Sequence, residues 1–385
     1  MVATSVVAGL AALMAGAPAA WASPSATPAP TARVNCVTFD ANGVCQVAGV
    51  VYAMAQVGDR TYLGGSFTQV SGIARSNVAA IRGDGTLDPT WNPSTDGVVY
   101  AMAASSDGSK IFLGGGFTAV GGQARSRLAA VTPDTGELIT AWPTTVNNNL
   151  VRALVADSAD RLYVGGNFGT IGGWSISRLA TVSQSTGVVD TSFEPAPNNT
   201  VRVLTLAHDG SMLYAGGSFT TIGGLARPGA AEMVPATGAV TLFAPTEGGV
   251  VLSMDITPSG RLFFGTSNNR TWAYEPSRGD GIPEYRVRTS GDVQAILATD
   301  DEVYIGGHFS GLPEAHLERL HIASFLPATG EATSWNPGVN GEYGVWAFGL
   351  TRTALSPDAV PALSVGGDFT VVAGVARRGY ARFNF

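Results

Sequence analysis

The sequence predicts an all-β protein, a seven-bladed β-propeller of four-stranded antiparallel blades with the last blade closed by the N-terminal strand. Three observations lead there. Of 385 residues, 50 are Gly and only 13 % are charged, against a usual ~7 % and ~25 %. Short apolar runs alternate with period two between Gly, Asp and Asn turns, and no segment keeps a helical period. A unit of about 50 residues, too small to bury both faces of its own sheet, returns along most of the chain. Hydrophobic residues, 45 % of the total, are spread evenly enough to fill a large core. Lys110 is the only lysine, and 22 basic residues face 29 acidic ones for a net charge of -7. That balance argues against nucleic-acid binding, which needs a basic stripe to displace counterions from phosphate.

Taken in order, residues 1–22 read as a secretory signal: residues 2–21 are uncharged and apolar, and Ala20-Trp21-Ala22 is the small-x-small pattern cut by a signal peptidase. Gly16 and Pro18 interrupt the run and no stop-transfer cluster follows, so no membrane span is expected in the mature chain. Residues 23–33, rich in Pro, Ser, Thr and Ala, read as a disordered leader with nothing to pack. Cys36 and Cys45, the only two cysteines, flank the turn signal Asn42-Gly43. In an exported chain they read as a disulfide across a hairpin, worth ~2.5 to 3 kcal/mol in the chain-entropy picture. Residues 34–385 form the propeller.

The repeat is plainest where Gly49-Val50-Val51-Tyr52-Ala53-Met54-Ala55 recurs, residue for residue, from Gly97 to Ala103. Its phase marker is Gly-Gly-x-Phe, beginning at Gly64, Gly114, Gly165, Gly216, Gly306 and Gly366, with a degenerate copy at Phe264-Gly265-Thr266. Within a unit, runs such as Val151-Arg152-Ala153-Leu154-Val155 and Arg161-Leu162-Tyr163-Val164 read as strands of a four-stranded meander. The paired glycines, lacking Cβ, let a neighbouring sheet approach. Trp91, Trp142, Phe193, Phe243, Tyr285 and Trp335 hold one register near the end of the fourth strand, which fits packing between blades. The chain stops at the third strand of its last unit, so residues 44–48, within the cysteine hairpin, are expected to supply the missing fourth.

These Gly-Gly-x-Phe-Thr, Gly-Gly-x-x-Arg and Leu-Ala cores resemble the delta-60 repeats of bacterial secreted β-propeller proteins, over about residues 34–385. The resemblance implies the fold and carries no catalytic residue. The fifth unit departs from it by losing the Gly-Gly-x-x-Arg segment.

Tight turns such as Asp107-Gly108 and Thr135-Gly136 fall on one face of the disc, and longer loops on the other. Loop variety on a rigid ring makes the long-loop face the expected binding face. There, Trp174 replaces the Gln123 or Leu225 of sister units, and Trp272 lies in the shortened fifth unit; either could stack on a sugar. The sixth unit carries His308, Glu314, His316, Glu318 and His321, a ligand-binding candidate whose spacing matches no metal motif. Arg75, Arg125, Arg227, Arg319 and Arg377 recur in register and are read as holding carbonyls or a carboxylate on the next blade. Leu326-Pro327-Ala328-Thr329-Gly330 spells a sortase signal but sits inside the chain at a third-to-fourth strand turn.

The function expected is a secreted, extracellular, non-catalytic binding or scaffold module for a protein or cell-envelope glycan, monomeric and without a cofactor. The alternative is a carbohydrate-active enzyme, a glycosidase or lyase, on the same scaffold. No acidic pair stands out from the repeat to serve one.

Overall fold

The computed structural model describes residues 23–28, 38–39, 45–47, 49–351 and 362–385. The signal segment and Cys36 lie outside them. Among the described residues there is almost no helix, only two short 3-10 turns, and no helix is long and apolar enough to cross a membrane.

Among the described residues, seven antiparallel sheets of three or four strands follow one another in sequence. Sheet one comprises Val50–Val57, Arg60–Ser66 and Val78–Ile81, and sheet two Val99–Ala104, Ile111–Gly115 and Leu128–Val131. Sheet three holds Val151–Ala156, Arg161–Gly166 and Leu179–Ser183; sheet four holds Val201–Leu206, Leu213–Gly217 and Ala230–Met233. Sheet five has four strands, Val251–Ile256, Leu262–Thr266, Arg270–Tyr274 and Tyr285–Arg288. Sheet six is Val293–Ala298, Val303–Gly307 and Ile322–Phe325, and sheet seven Val345–Thr351, Ala362–Gly367 and Tyr380–Asn384.

The fourth strand expected of each unit is reduced to single bridges in most of them, such as Ile81 to Leu87, Val182 to Val189 and Met233 to Val240. The residue after each of these bridges explains why. Asp88 and Asp190 accept from the amides of Thr90 and Ser192, and the Thr241 hydroxyl accepts from the Phe243 amide. These local bonds turn the chain out of the ladder at once. The fifth unit, which breaks the sequence pattern, is the one whose outer strand is a full ladder.

The paired glycines do two separate jobs. A Cβ on Gly64 would lie 2.6 Å from Val99 of sheet two, and one on Gly114 would lie 2.5 Å from Val151 of sheet three. Gly165, Gly216, Gly265 and Gly306 face Val201, Val251, Val293 and Val345 in the same way, and Gly366 faces Val51 of sheet one. Each first glycine thus seats the valine that opens another sheet. A Cβ on the second glycine, as at Gly65 and Gly115, would strike the backbone carbonyl of Val50 or Val98 on the paired strand.

The outer aromatics pack as expected. Trp91 and Trp142 are wholly buried, and their indole N–H groups donate to the carbonyls of Thr132 and Ser183, each on the following sheet. Each also meets a second-strand ring of its own sheet, Tyr62 at 4.9 Å and Phe112 at 5.3 Å.

Residues 23–28, the described part of the leader, pack against the molecule. Pro24 and Pro28 are buried, the Ser25 amide donates to the Asn384 carbonyl at 2.9 Å, and the Trp335 indole donates to the Ser25 carbonyl. Of the cysteine hairpin, Thr38–Phe39 pairs with Cys45–Val47 in a two-stranded sheet of its own, so among the described residues 45–47 do not join sheet seven as the fourth strand expected of them; Cys36, and with it the expected disulfide, lies outside the described residues.

Candidate functional site

Every first strand carries a β-bulge just after its opening valine. The register slips between Val51 and Ala53, and likewise between Val99 and Ala101 and in the five other sheets. A bulge re-aims the extra side chain. The seven extra residues are Tyr52, Tyr100, Arg152, Arg202, Leu252, Gln294 and Trp346, and all seven line one cavity of about 440 Å³. Because they lie at the start of the first strands, this funnel opens on the side of the long fourth-to-first loops.

Its wall is divided by chemistry. Tyr52 meets Trp346 edge-on at 5.2 Å and Tyr100 at 5.3 Å, and Tyr343 extends this group at 5.9 Å from Trp346. The Arg152 guanidinium lies 5.5 Å from the centre of the Tyr100 ring, a cation–π contact. Arg202 is tied by Nε to the Ser218 hydroxyl at 3.2 Å. Burial, and then the charge of Arg152, lower its proton affinity. Among the described residues none of the ion pairs involves Arg152 or Arg202, and no Asp or Glu lines the cavity. A chain of net charge -7 therefore presents two unneutralised guanidinium groups beside an aromatic wall.

The candidates taken from the loops are dispersed. Trp174 is 55 % exposed at the tip of its loop. Trp272 is a correction: at 7 % exposure it belongs to the third strand of sheet five, flanked by Arg270 and Arg286, and offers no face to a ligand. His308 stacks on His321 with ring centres 6.2 Å apart and meets Tyr343 at 5.6 Å. Burial, with help from His308, pushes the His321 imidazole toward its neutral form, while its Nδ1 bonds the Gly307 carbonyl. Glu314 instead pairs with Arg286 of sheet five at 3.2 Å, and His316 and Glu318 are exposed around a small hairpin. The five residues thus do not converge, and among the described residues no group of three or more His, Cys, Asp or Glu could hold a metal ion.

Of the recurrent arginines, Arg75, Arg227 and Arg319 hold carbonyls of their own unit where the sequence predicts the next blade. Arg75 donates to the carbonyls of Ala74, Asp88 and Pro89, Arg227 to those of Ala226 and Thr241, and Arg319 to those of Glu318 and Thr333. They pin the turn between the bridge and the outer aromatic.

Comparison with known proteins agrees at the level of fold. A family model described as a domain of unknown function (DUF5122), beta-propeller, matches residues 59–90, from the first turn of sheet one to just before Trp91. That match supports a β-propeller repeat. No curated protein matches the chain. Among solved structures, the crystal structure of the computationally designed Ika8 protein is similar, with a TM-score of 0.53 and 10 % identity, over 88 % of this chain and 97 % of that one. At this identity the likeness shows the fold alone.

Proposed function

We propose that this chain is a secreted, non-catalytic β-propeller of seven blades, of the delta-60 type, that binds a protein or cell-envelope glycan through the central funnel on its long-loop face. The order of sheets supports the ring: each first glycine seats the valine of the next sheet, and Gly366 seats Val51. Export rests on the apolar residues 2–21 and the Ala20-Trp21-Ala22 site. The observation that carries the binding reading is the convergence of seven register-equivalent side chains of unlike chemistry on one cavity. A packing position in a repeat keeps one residue type; this position holds Tyr, Arg, Leu, Gln and Trp. A hydrolase would need carboxylates at the reacting bond, and the funnel lining supplies none.

The test is a glycan-array and envelope pull-down screen on the chain from Ser23 onward. A saturable hit lost in Trp346→Ala and kept in Trp174→Ala is expected. A hit that follows Trp174 alone moves the site to the rim.

A further inference from the structure

We infer that the funnel takes an anionic sugar unit, one bearing a carboxylate or phosphate; this rests on the binding reading above. The cationic arc of Arg152 and Arg202 adjoins the aromatic arc of Tyr100, Tyr52 and Trp346 around the cavity. Guanidinium groups hold carboxylate and phosphate by paired N–H donors, and aromatic rings take up an apolar face beside them. With no carboxylate partner among the described residues, their charge is left for a ligand. Gln294, whose Nε2 already donates to Asp292 at 2.6 Å, adds its amide oxygen as an acceptor for hydroxyl groups. A cavity of about 440 Å³ has room for a sugar unit.

The experiment is calorimetric titration with a glucuronic acid disaccharide, its neutral glucose counterpart, glycerol phosphate and an acidic peptide. The uronic acid or the phosphate ester is expected to bind at least about tenfold more tightly than the neutral sugar, and the two arms tell carboxylate from phosphate. Arg152→Gln with Arg202→Gln should erase that preference while circular dichroism stays unchanged. If neutral sugar binds equally and is lost only in Trp346→Ala, the funnel still binds glycan and the anionic inference falls. Preference for the acidic peptide overturns the sugar assignment. Silence from every probe overturns both this inference and the glycan reading.

A separate observation concerns Glu302. It is buried, and its oxygens accept from the hydroxyls of Ser23 at 3.0 Å, Tyr304 at 2.8 Å, Ser324 at 2.5 Å and Thr333 at 3.0 Å. No cation pairs with it among the described residues, and a buried carboxylate served by hydroxyls alone is costly. We propose that cleavage after Ala22 frees the Ser23 α-ammonium to neutralise Glu302, so that processing locks the new N-terminus onto sheet six. Acetylating the amino terminus of the secreted chain should lower its Tm, and should do so much less in Glu302→Gln. An unchanged Tm in the acetylated parent, or an equal drop in both chains, overturns the lock.

Discussion

Each unit of this molecule has two ends that can be compared directly, the outer aromatic and the bulge residue at the start of the inner strand. At the outer end Trp91, Trp142, Phe193 and Phe243 are buried against neighbouring rings, and the chemistry barely changes from unit to unit. At the inner end Tyr52, Tyr100, Arg152, Arg202, Leu252, Gln294 and Trp346 share a register and almost nothing else. Both positions are fixed by the same backbone repeat. The difference shows that one backbone repeat holds a uniform, buried aromatic at its outer end and unlike side chains around one cavity at its inner end.

Trp142→Ala tests the outer end most severely. It removes a wholly buried indole and its bond to the Ser183 carbonyl, and a loss of about 3 to 5 kcal/mol is expected in denaturant unfolding. Next in size, Gly114→Ala drives a Cβ to within 2.5 Å of Val151 on sheet three. The cost expected is about 1 to 3 kcal/mol, again read from unfolding.

Asp255 blurs the division, because it lies on an inner strand where sister units place Ala55, Ala103, Val155, Thr205, Leu297 and Gly349. It accepts from the Ala298 amide on sheet six, and burial pushes its carboxyl up to about 6. The unfolded value is about 3.9, so the folded state binds the extra proton. Stability from this group is therefore fullest below about pH 4, falls as pH rises toward about 6, and is flat beyond. Asp255→Asn should raise Tm at pH 7 to 8 and leave it unchanged at pH 4. An equal shift at both would mean that the carboxyl is not perturbed.

The smallest effect is expected at the inner end itself. Tyr52→Ala and Leu252→Gln should each shift stability by no more than about 0.5 kcal/mol, the range for surface changes, while Tyr52→Ala weakens ligand binding. A large stability loss in Tyr52→Ala would make the bulge residues a packing feature and remove the contrast.

Much of the architecture is legible in the residues. The Gly-Gly step announces the close approach seen at Val99 and Val151, and the recurrent tryptophans announce their seats between sheets. The Leu326 to Gly330 turn is bonded as a turn, with the Gly330 amide donating to the Leu326 carbonyl. The funnel was hidden because a bulge is a property of two paired strands: Val50-Val51-Tyr52-Ala53 reads alone as a plain run. Only the unlike residues after each opening valine gave a signal. Periodicity points to longer fourth strands than the structure keeps, because the Asp88 and Thr241 bonds that end them are local side-chain geometry that periodicity does not carry.

The Ser25 amide on the Asn384 carbonyl joins chain segments about as far apart in sequence as the described residues allow. Closing so long a loop adds little entropy cost beyond a short one, since that cost grows only as the logarithm of length, but it sets an order of events. During synthesis the earliest of these residues must wait, unplaced, until Asn384 has emerged. This early stretch is thus among the last to settle, and a ribosome paused before sheet seven would hold six sheets with two flanks open, that of sheet six and that of sheet one.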